Sequence, residues 1–319
     1  MSFIPVAMRD VFLKQILDAM HTNFAIYFVS ADFGSPILDE IRKHFPNRFV
    51  NVGIAEQNLI NISAGLALEG FTVFAYAIAP FITMRCYEQI RVNLSLLSTI
   101  RDMNVNLIGV GAGYSYVVSG PTHQCYEDIS IMRAMPPMGV FSPADSIVAE
   151  ALFKKCMSQR GPKYLRLDAQ VLPVLYSEAE INIERGFQII QKGQDVCIIA
   201  TGYMVHSAIK VADSLKKNGI EPMVIDMFNI TGFDKQSLLN TIDAHRFIIS
   251  MEEGFVGRGG MDMMLMHWLN EEAPTKKLLN FGVQGSYRFE LGTRCELHDA
   301  IGLGIEEMSR KIMNIVELA

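Results

Sequence analysis

Short runs of apolar, β-branched and aromatic residues recur along this chain with amphipathic stretches between them, and that alternation leaves few folds open. In the first half the runs are Phe24–Val29, Thr72–Ile78, Val105–Val110 and Tyr164–Leu167. Helical spacing marks Ala55–Glu69, Phe81–Leu97, Tyr126–Met135 and Ser146–Ser158. FAIYFV and VNLIGV are apolar without regular alternation, as strands covered on both faces are. The order predicts a parallel sheet between layers of helix. Between Asp168 and Lys192 the pattern loosens, and it restarts at Asp195. DVCIIATG reads as a strand, Val205–Lys217 as a helix, Met223–Met227 as a strand, Lys235–Asp243 as a helix and Phe247–Met251 as a strand, with Gly259–Leu269 and Gly304–Val316 as the last helices. The expected fold class is α/β: two three-layer domains, each with a mainly parallel central sheet, over residues 1–175 and 191–319, joined by a linker over 176–190. With 319 residues, each domain is long enough to bury its own core.

Composition excludes several function classes. A formal net charge of −6 gives no general attraction to a polyphosphate backbone or an anionic membrane surface, so neither nucleic acid nor membrane is an expected partner. Cys86, Cys125, Cys156, Cys197 and Cys295 are scattered and odd in number, which fits a reducing compartment rather than a disulfide framework. The N-terminal MSFIPVAMRDVFLKQILDAM has acidic residues and amphipathic spacing where a secretory signal needs a basic start and an unbroken apolar stretch. A cytoplasmic location is expected. A long stretch without Asp, Glu, Lys or Arg, Asn104 to Tyr126, is filled with Gly, Ser, Asn and Pro, which a membrane span would not favour.

Three clusters stand out. RFVNVGIAEQNLINISAGLALEG, Arg48 to Gly70, opens a helix after Gly53 and puts Glu56 in its first turn, where a carboxylate complements the helix dipole whatever else it does. FAYAIAPFITMRCYEQIRVN places Phe81, Met84 and Tyr87 at steps of three on the next helix, a spacing that core packing alone would explain. GVGAGYSYVVSGPTHQCYED is a Gly-rich loop after an apolar strand and leads to Gly120-Pro121-Thr122-His123. Loops at the carboxyl ends of parallel strands are where such sheets bind ligands, although Thr122 as a helix cap and His123 as an ordinary loop histidine would also account for it.

Taken in order, VGIAEQN, the PF…YEQIR helix, GPTHQ…ED…R…P and the SPAD at Ser142–Asp145 resemble the pyrimidine-binding domain of the transketolase family. DVCIIATG, the EEG at Glu252–Gly254 and the Gly257–Gly260 turn resemble that family's C-terminal domain. The resemblance covers nearly the whole chain but only the latter half of a typical transketolase. It implies thiamine diphosphate as cofactor, with Glu56 hydrogen-bonding the pyrimidine ring and favouring its imino form. Ile54, Phe81, Met84 and Tyr87 match positions lining the pyrimidine pocket. Met84 stands where many members have a stacking phenylalanine, so Phe81 is expected to form more of the wall. His123 matches a histidine that reaches substrate hydroxyls and moves protons, and Ser119 matches a position that recognises a sugar hydroxyl.

The family's diphosphate-binding domain carries a Gly-Asp-Gly motif, and this chain has no GDG. The resemblance therefore implies that the diphosphate and its Mg2+ or Ca2+ are held by a separate N-terminal subunit, with no metal ligand here. It implies further that the chain self-associates as a dimer within an α2β2 assembly acting on small sugars. Three positions depart from the family: Ser119 replaces an aspartate, Gly111 a histidine and Ala169 an arginine, the latter two being groups that hold an acceptor's phosphate. Arg166 lies near but fits the strand, and is read as structural. The alternatives are the β subunit of a 2-oxo acid dehydrogenase decarboxylase, a synthase of the deoxyxylulose phosphate type, and a non-catalytic structural subunit.

Overall fold

The computed structural model describes residues 6–176 and 181–317. The chain runs through α1 (Met8–Thr22), β1 (Ile26–Ser30), α2 (Pro36–His44), β2 (Phe49–Asn51), α3 (Glu56–Leu68) and β3 (Thr72–Ile78). A wide-turned helical segment follows, with a single α turn, α4 (Tyr87–Gln89), inside it. Then come β4 (Asn104–Val110), α5 (Asp128–Arg133), β5 (Gly139–Phe141), α6 (Ser146–Ser158) and β6 (Gly161–Leu167). The second series is β7 (Phe187–Gln191), β8 (Val196–Ala200), α7 (Met204–Lys216), β9 (Pro222–Met227), α8 (Lys235–Ile242) and β10 (Phe247–Phe255), closing with α9 (Met261–Glu272), β11 (Lys277–Val283), α10 (Arg294–Asp299) and α11 (Ile305–Glu317).

The first six strands form one sheet in the order β2-β1-β3-β4-β6-β5, parallel throughout. The other five form a second sheet in the order β11-β10-β8-β9-β7, parallel except where β7 runs antiparallel to β9. Two α/β domains with mainly parallel sheets are thus present, as the alternation predicts. The sequence reading passes over α2, β2, β5, β7, β11 and α10. β2 and β5 have three residues each, too few to display a period. β7 starts at Phe187, inside the segment read as a linker over 176–190, of which 177–180 lie outside the described residues.

One element differs in kind. Phe81–Leu97 is expected as a regular α-helix, and the structure instead has π-helical turns over Phe81–Arg85 and Ile90–Leu96 flanking α4. Wider i→i+5 turns carry the buried face along Ile82, Cys86, Ile90 and Leu94, at steps of four. Phe81, Met84 and Tyr87 therefore do not form the core stripe. Met84 is 41% exposed, and Phe81 and Tyr87 are half-buried.

The two domains are stitched directly. Beyond β5, Ser142 N–H donates to Phe228 O at 2.9 Å, and Ile230 N–H donates to Val140 O at 2.9 Å. Arg166, on β6, is buried: Nε reaches Asp128 Oδ2 at 2.7 Å, and Nη2 reaches the carbonyls of Glu253 (2.8 Å) and Cys125 (3.3 Å). It spans the two sheets from a position that water does not reach. Because removing one partner leaves the other charge buried and unpaired, Arg166→Met should cost about 3–5 kcal/mol of stability. Urea unfolding of the variant checks this, and a loss under about 1 kcal/mol would contradict it.

Candidate active site

In an all-parallel sheet every strand ends at the same edge. The turns after β2, β3 and β4 therefore emerge side by side, next to the point between β1 and β3 where strand order reverses, and a crevice forms at such a point. Asn51, the last residue of β2, shapes the first turn. Its side-chain oxygen accepts from Gly53 N–H (2.9 Å) and Asp32 N–H (3.2 Å), while Gly53 takes φ +72°, a conformation that favours glycine. The chain then enters α3 with Glu56 as its first helical residue, and the carboxylate is only 5% exposed. Ile54, in the same turn, is 76% exposed.

Phe81 follows β3 by three residues. Arg85 lies next to it on the wide turn, its guanidinium 3.8 Å from the centre of the Phe81 ring, and Nη1 donates to Glu56 Oε1 at 3.0 Å. Arg85 is the one hydrogen-bond partner of the Glu56 carboxylate among the described residues, and its own side chain is 46% exposed. Glu56 and Phe81 already hold a flat, N–H-bearing group between a carboxylate and a ring face. A pyrimidine ring needs the same two surfaces, a carboxyl that can share a proton with its ring nitrogen and an aromatic face to lie on, so the residues present fit one. Tyr87 serves differently: its hydroxyl donates to Ile131 O at 3.0 Å and ties the segment to α5.

The loop after β4 brings His123 to Phe81, with ring centres 5.2 Å apart and edge to face. His123 is half-buried, and its Nδ1 lies 2.9 Å from Thr122 Oγ1. Ser119 is exposed on the same loop. Glu56, Phe81, Arg85 and His123 are thus contiguous, with Met84 and Ile54 exposed beside them. At Gly111 (φ +94°) a Cβ would stand 1.9 Å from Tyr116 Cε2, so the Tyr116 ring fills the space a side chain there would need. Ala169 contributes its N–H to Ser115 Oγ at 2.8 Å.

Sequence reasoning missed Arg85, Tyr116, Tyr76 and Arg9. The hydroxyls of Tyr76 and Tyr116 are buried with no hydrogen-bond partner among the described residues, and burial pushes the Tyr116 phenol up to about 12. Arg9, in the first turn of α1, is within electrostatic reach of both, but its Nε and Nη2 are engaged by Asp10 at 2.7 and 3.2 Å. Arg85 could have been found from its place four residues after Phe81. Nothing local marks the other three.

Tandem parallel α/β domains, with a buried acid and an aromatic ring at the carboxyl edge of the first, define the class of fold. Comparison with known proteins gives the family. Residues 5–174 match the model of the transketolase pyrimidine-binding domain, and residues 186–308 match that of the transketolase C-terminal domain. The chain belongs to the transketolase family. It is 33% identical to a putative transketolase C-terminal section of Methanocaldococcus jannaschii, covering 85% of this chain and 84% of that one. It is 29% identical to an apulose-4-phosphate transketolase subunit of Actinobacillus succinogenes, covering 88% and 89%. Among solved structures it is similar to an inactive β4 tetramer of a split-gene transketolase, with a TM-score of 0.85, 30% identity and 99% of both chains covered. Vertebrate transketolases are matched over 41% of their length. The chain therefore corresponds to the C-terminal subunit of a split transketolase.

The tyrosine over Gly111 makes a prediction. Gly111→Ala meets both positive φ and the Tyr116 ring, and should cost about 1–3 kcal/mol. Adding Tyr116→Ala should recover the steric part only. Thermal unfolding of the single and double variants checks this, and a neutral Gly111→Ala would contradict it.

Proposed function

We propose that this chain is the C-terminal subunit of a two-chain, thiamine-diphosphate-dependent transketolase that moves a two-carbon ketol unit from a ketose to an aldehyde or aldose acceptor. The observation that carries the reading is Glu56. This buried carboxylate at a helix N-terminus faces an aromatic ring, and the apolar residues beside it, Ile54 and Met84, are left open to solvent. An N-terminal partner chain carrying the Gly-Asp-Gly motif covers those residues and holds the diphosphate with its Mg2+ or Ca2+. The relatives matched along most of their length are described as a subunit and a C-terminal section, which supports a divided enzyme. The tetramer of the split-gene relative supports self-association of this chain when the partner is absent.

When bound, thiamine diphosphate would supply the nucleophilic carbon that takes up the two-carbon unit and passes it on. The chain's own residues do the rest. Glu56 hydrogen-bonds the pyrimidine ring nitrogen and shares a proton with it, displacing the half-exposed Arg85 from Glu56 and from the Phe81 face. Phe81 and Met84 form the wall against the ring, and Ile54 closes its rim. Tyr87 anchors the segment through Ile131 O. His123, edge-on to Phe81, stands on the substrate side of that wall and moves protons at the sugar's hydroxyls, with Ser119 on the same loop as a second polar contact.

Acceptor choice follows from the loop. Tyr116 fills the space over Gly111, Ala169 offers no side-chain donor, and Arg9, within electrostatic reach of Tyr116, is forked by Asp10. Charge-assisted bonds to phosphate are worth about 1.5–3 kcal/mol each. Losing two lowers selection for a terminal phosphate by roughly two to four orders of magnitude. With the partner subunit present, ribose 5-phosphate should be a poor acceptor beside one recognised through other groups. The test compares kcat/KM for phosphorylated and unphosphorylated aldoses, and turnover of ribose 5-phosphate at ordinary transketolase rates would overturn this acceptor assignment.

Glu56→Gln should lower kcat about 10²- to 10⁴-fold in the two-chain enzyme, the range for loss of a positioned acid–base group. Thermal unfolding should change little. Wild-type turnover in that variant would refute the role given to Glu56.

A further inference from the structure

The loop carrying His123 closes on itself. Gly113 and Cys125 exchange both backbone hydrogen bonds, at 2.9 and 3.0 Å, so residues 114–124 form a lobe on one rung. What fixes the rung comes from the second domain. Arg294, the first residue of α10, is buried. Its Nε donates to Glu253 Oε1 at 2.8 Å, Nη2 donates to Glu253 Oε2, and Nη1 donates to Asp168 Oδ2 at 2.6 Å. The Tyr203 ring covers the guanidinium at 3.6 Å, and His298 Nε2 lies 2.6 Å from Glu253 Oε1. A capping box between Thr293 and Glu296 fixes where α10 begins.

Both carboxylates pass this constraint to the lobe. Glu253 Oε2 accepts from Tyr114 N–H at 3.3 Å, and it occupies the space a side chain on Gly113 would need, 2.0 Å from an ideal Cβ. Asp168 Oδ1 accepts from Ser115 Oγ at 2.8 Å, and Gln170 Nε2 donates to Ser115 O at 3.0 Å. At the other side of the rung, Arg166 Nη2 holds Cys125 O and Glu253 O together. Burial alone would raise the Glu253 carboxyl. The Arg294 charge and the hydrogen bonds from Arg294 and His298 overcome that and hold it well below the usual carboxylate range. The carboxylate is therefore ionised across the physiological range and able to accept from the loop.

We propose that Arg294 is a positioning residue: through Glu253 and Asp168 it sets where the lobe 113–125, and with it His123, stands at the carboxyl edge of the first sheet. The proposal rests on the role given to His123 above. It assigns the second domain a part in the site that involves no contact with substrate. Misplacing a reacting group by about 1 Å can cost on the order of 10² in rate, so a loosened clamp should be read in kcat rather than in cofactor affinity.

Two variants test it. Ser115→Ala removes the lobe's end of the Asp168 arm and leaves every ion pair whole, whereas Arg294→Lys keeps the charge and loses the fork. In hydrogen-exchange mass spectrometry of the chain alone, each should raise exchange over residues 113–125 by about tenfold or more, with α3 at its wild-type rate. In the two-chain enzyme each should lower kcat about 10- to 100-fold with cofactor affinity unchanged. Neither should add to the loss caused by His123→Ala, because groups acting through one another are not additive. Unchanged exchange over 113–125, exchange raised equally in α3 and β8, or a loss additive with His123→Ala would each overturn the proposal. Full activity of His123→Ala itself would overturn the role of His123 instead, and the exchange data would still decide whether Arg294 clamps the lobe.

Discussion

β3 and β4 lie side by side in parallel register from Thr72↔Asn104 to Ile78↔Val110, so both strands end at the same level. The site is built outward from that common end. Phe81 leaves one strand and the Gly111–Tyr126 loop leaves the other, and the ring of Phe81 meets that of His123 without either segment crossing the sheet. Glu56 arrives from β2, two strands away, because a parallel sheet sends every turn at this edge in the same direction. Had one of these strands been antiparallel, its following loop would stand at the opposite edge.

The same geometry leaves the site open. Phe81 and Met84 are turned away from the core by the wide helical turns that bury Ile82, Cys86, Ile90 and Leu94 instead. An apolar wall turned toward solvent costs free energy unless something covers it. In this chain Arg85 covers part of it, lying on Phe81 and neutralising Glu56. That contact is an ion pair whose arginine is half-exposed and of modest worth, so a flat ring that shares a proton with Glu56 and covers more of the Phe81 face displaces it at little cost.

The fold class was legible because strands covered on both faces run mostly apolar without regular alternation, as β1, β3 and β8 do. β2 and β5 were not, being too short to show a pattern. Glu56 could be placed in the first turn of α3 from Gly53 and the periodicity after it. The steps of three over Phe81, Met84 and Tyr87 were legible, but not the local helix type, which depends on packing against α3 and β4. Gly111 could be seen to lack a side chain, whereas the Tyr116 ring in its place depends on how the loop folds back. Arg294 was beyond reach, since its partner Asp168 lies 126 positions away on another domain.

The central claim is a division of labour: this chain grips the pyrimidine, and a partner grips the diphosphate and its metal. Isothermal calorimetry tests it most directly, with thiamine diphosphate and Mg2+ titrated first into this chain alone and then into its mixture with the N-terminal subunit. The account predicts no tight binding to the isolated chain, where Glu56 and Phe81 offer contacts to only one end of the molecule, and tight, metal-dependent binding to the mixture. Micromolar, metal-dependent binding to the isolated chain would contradict it.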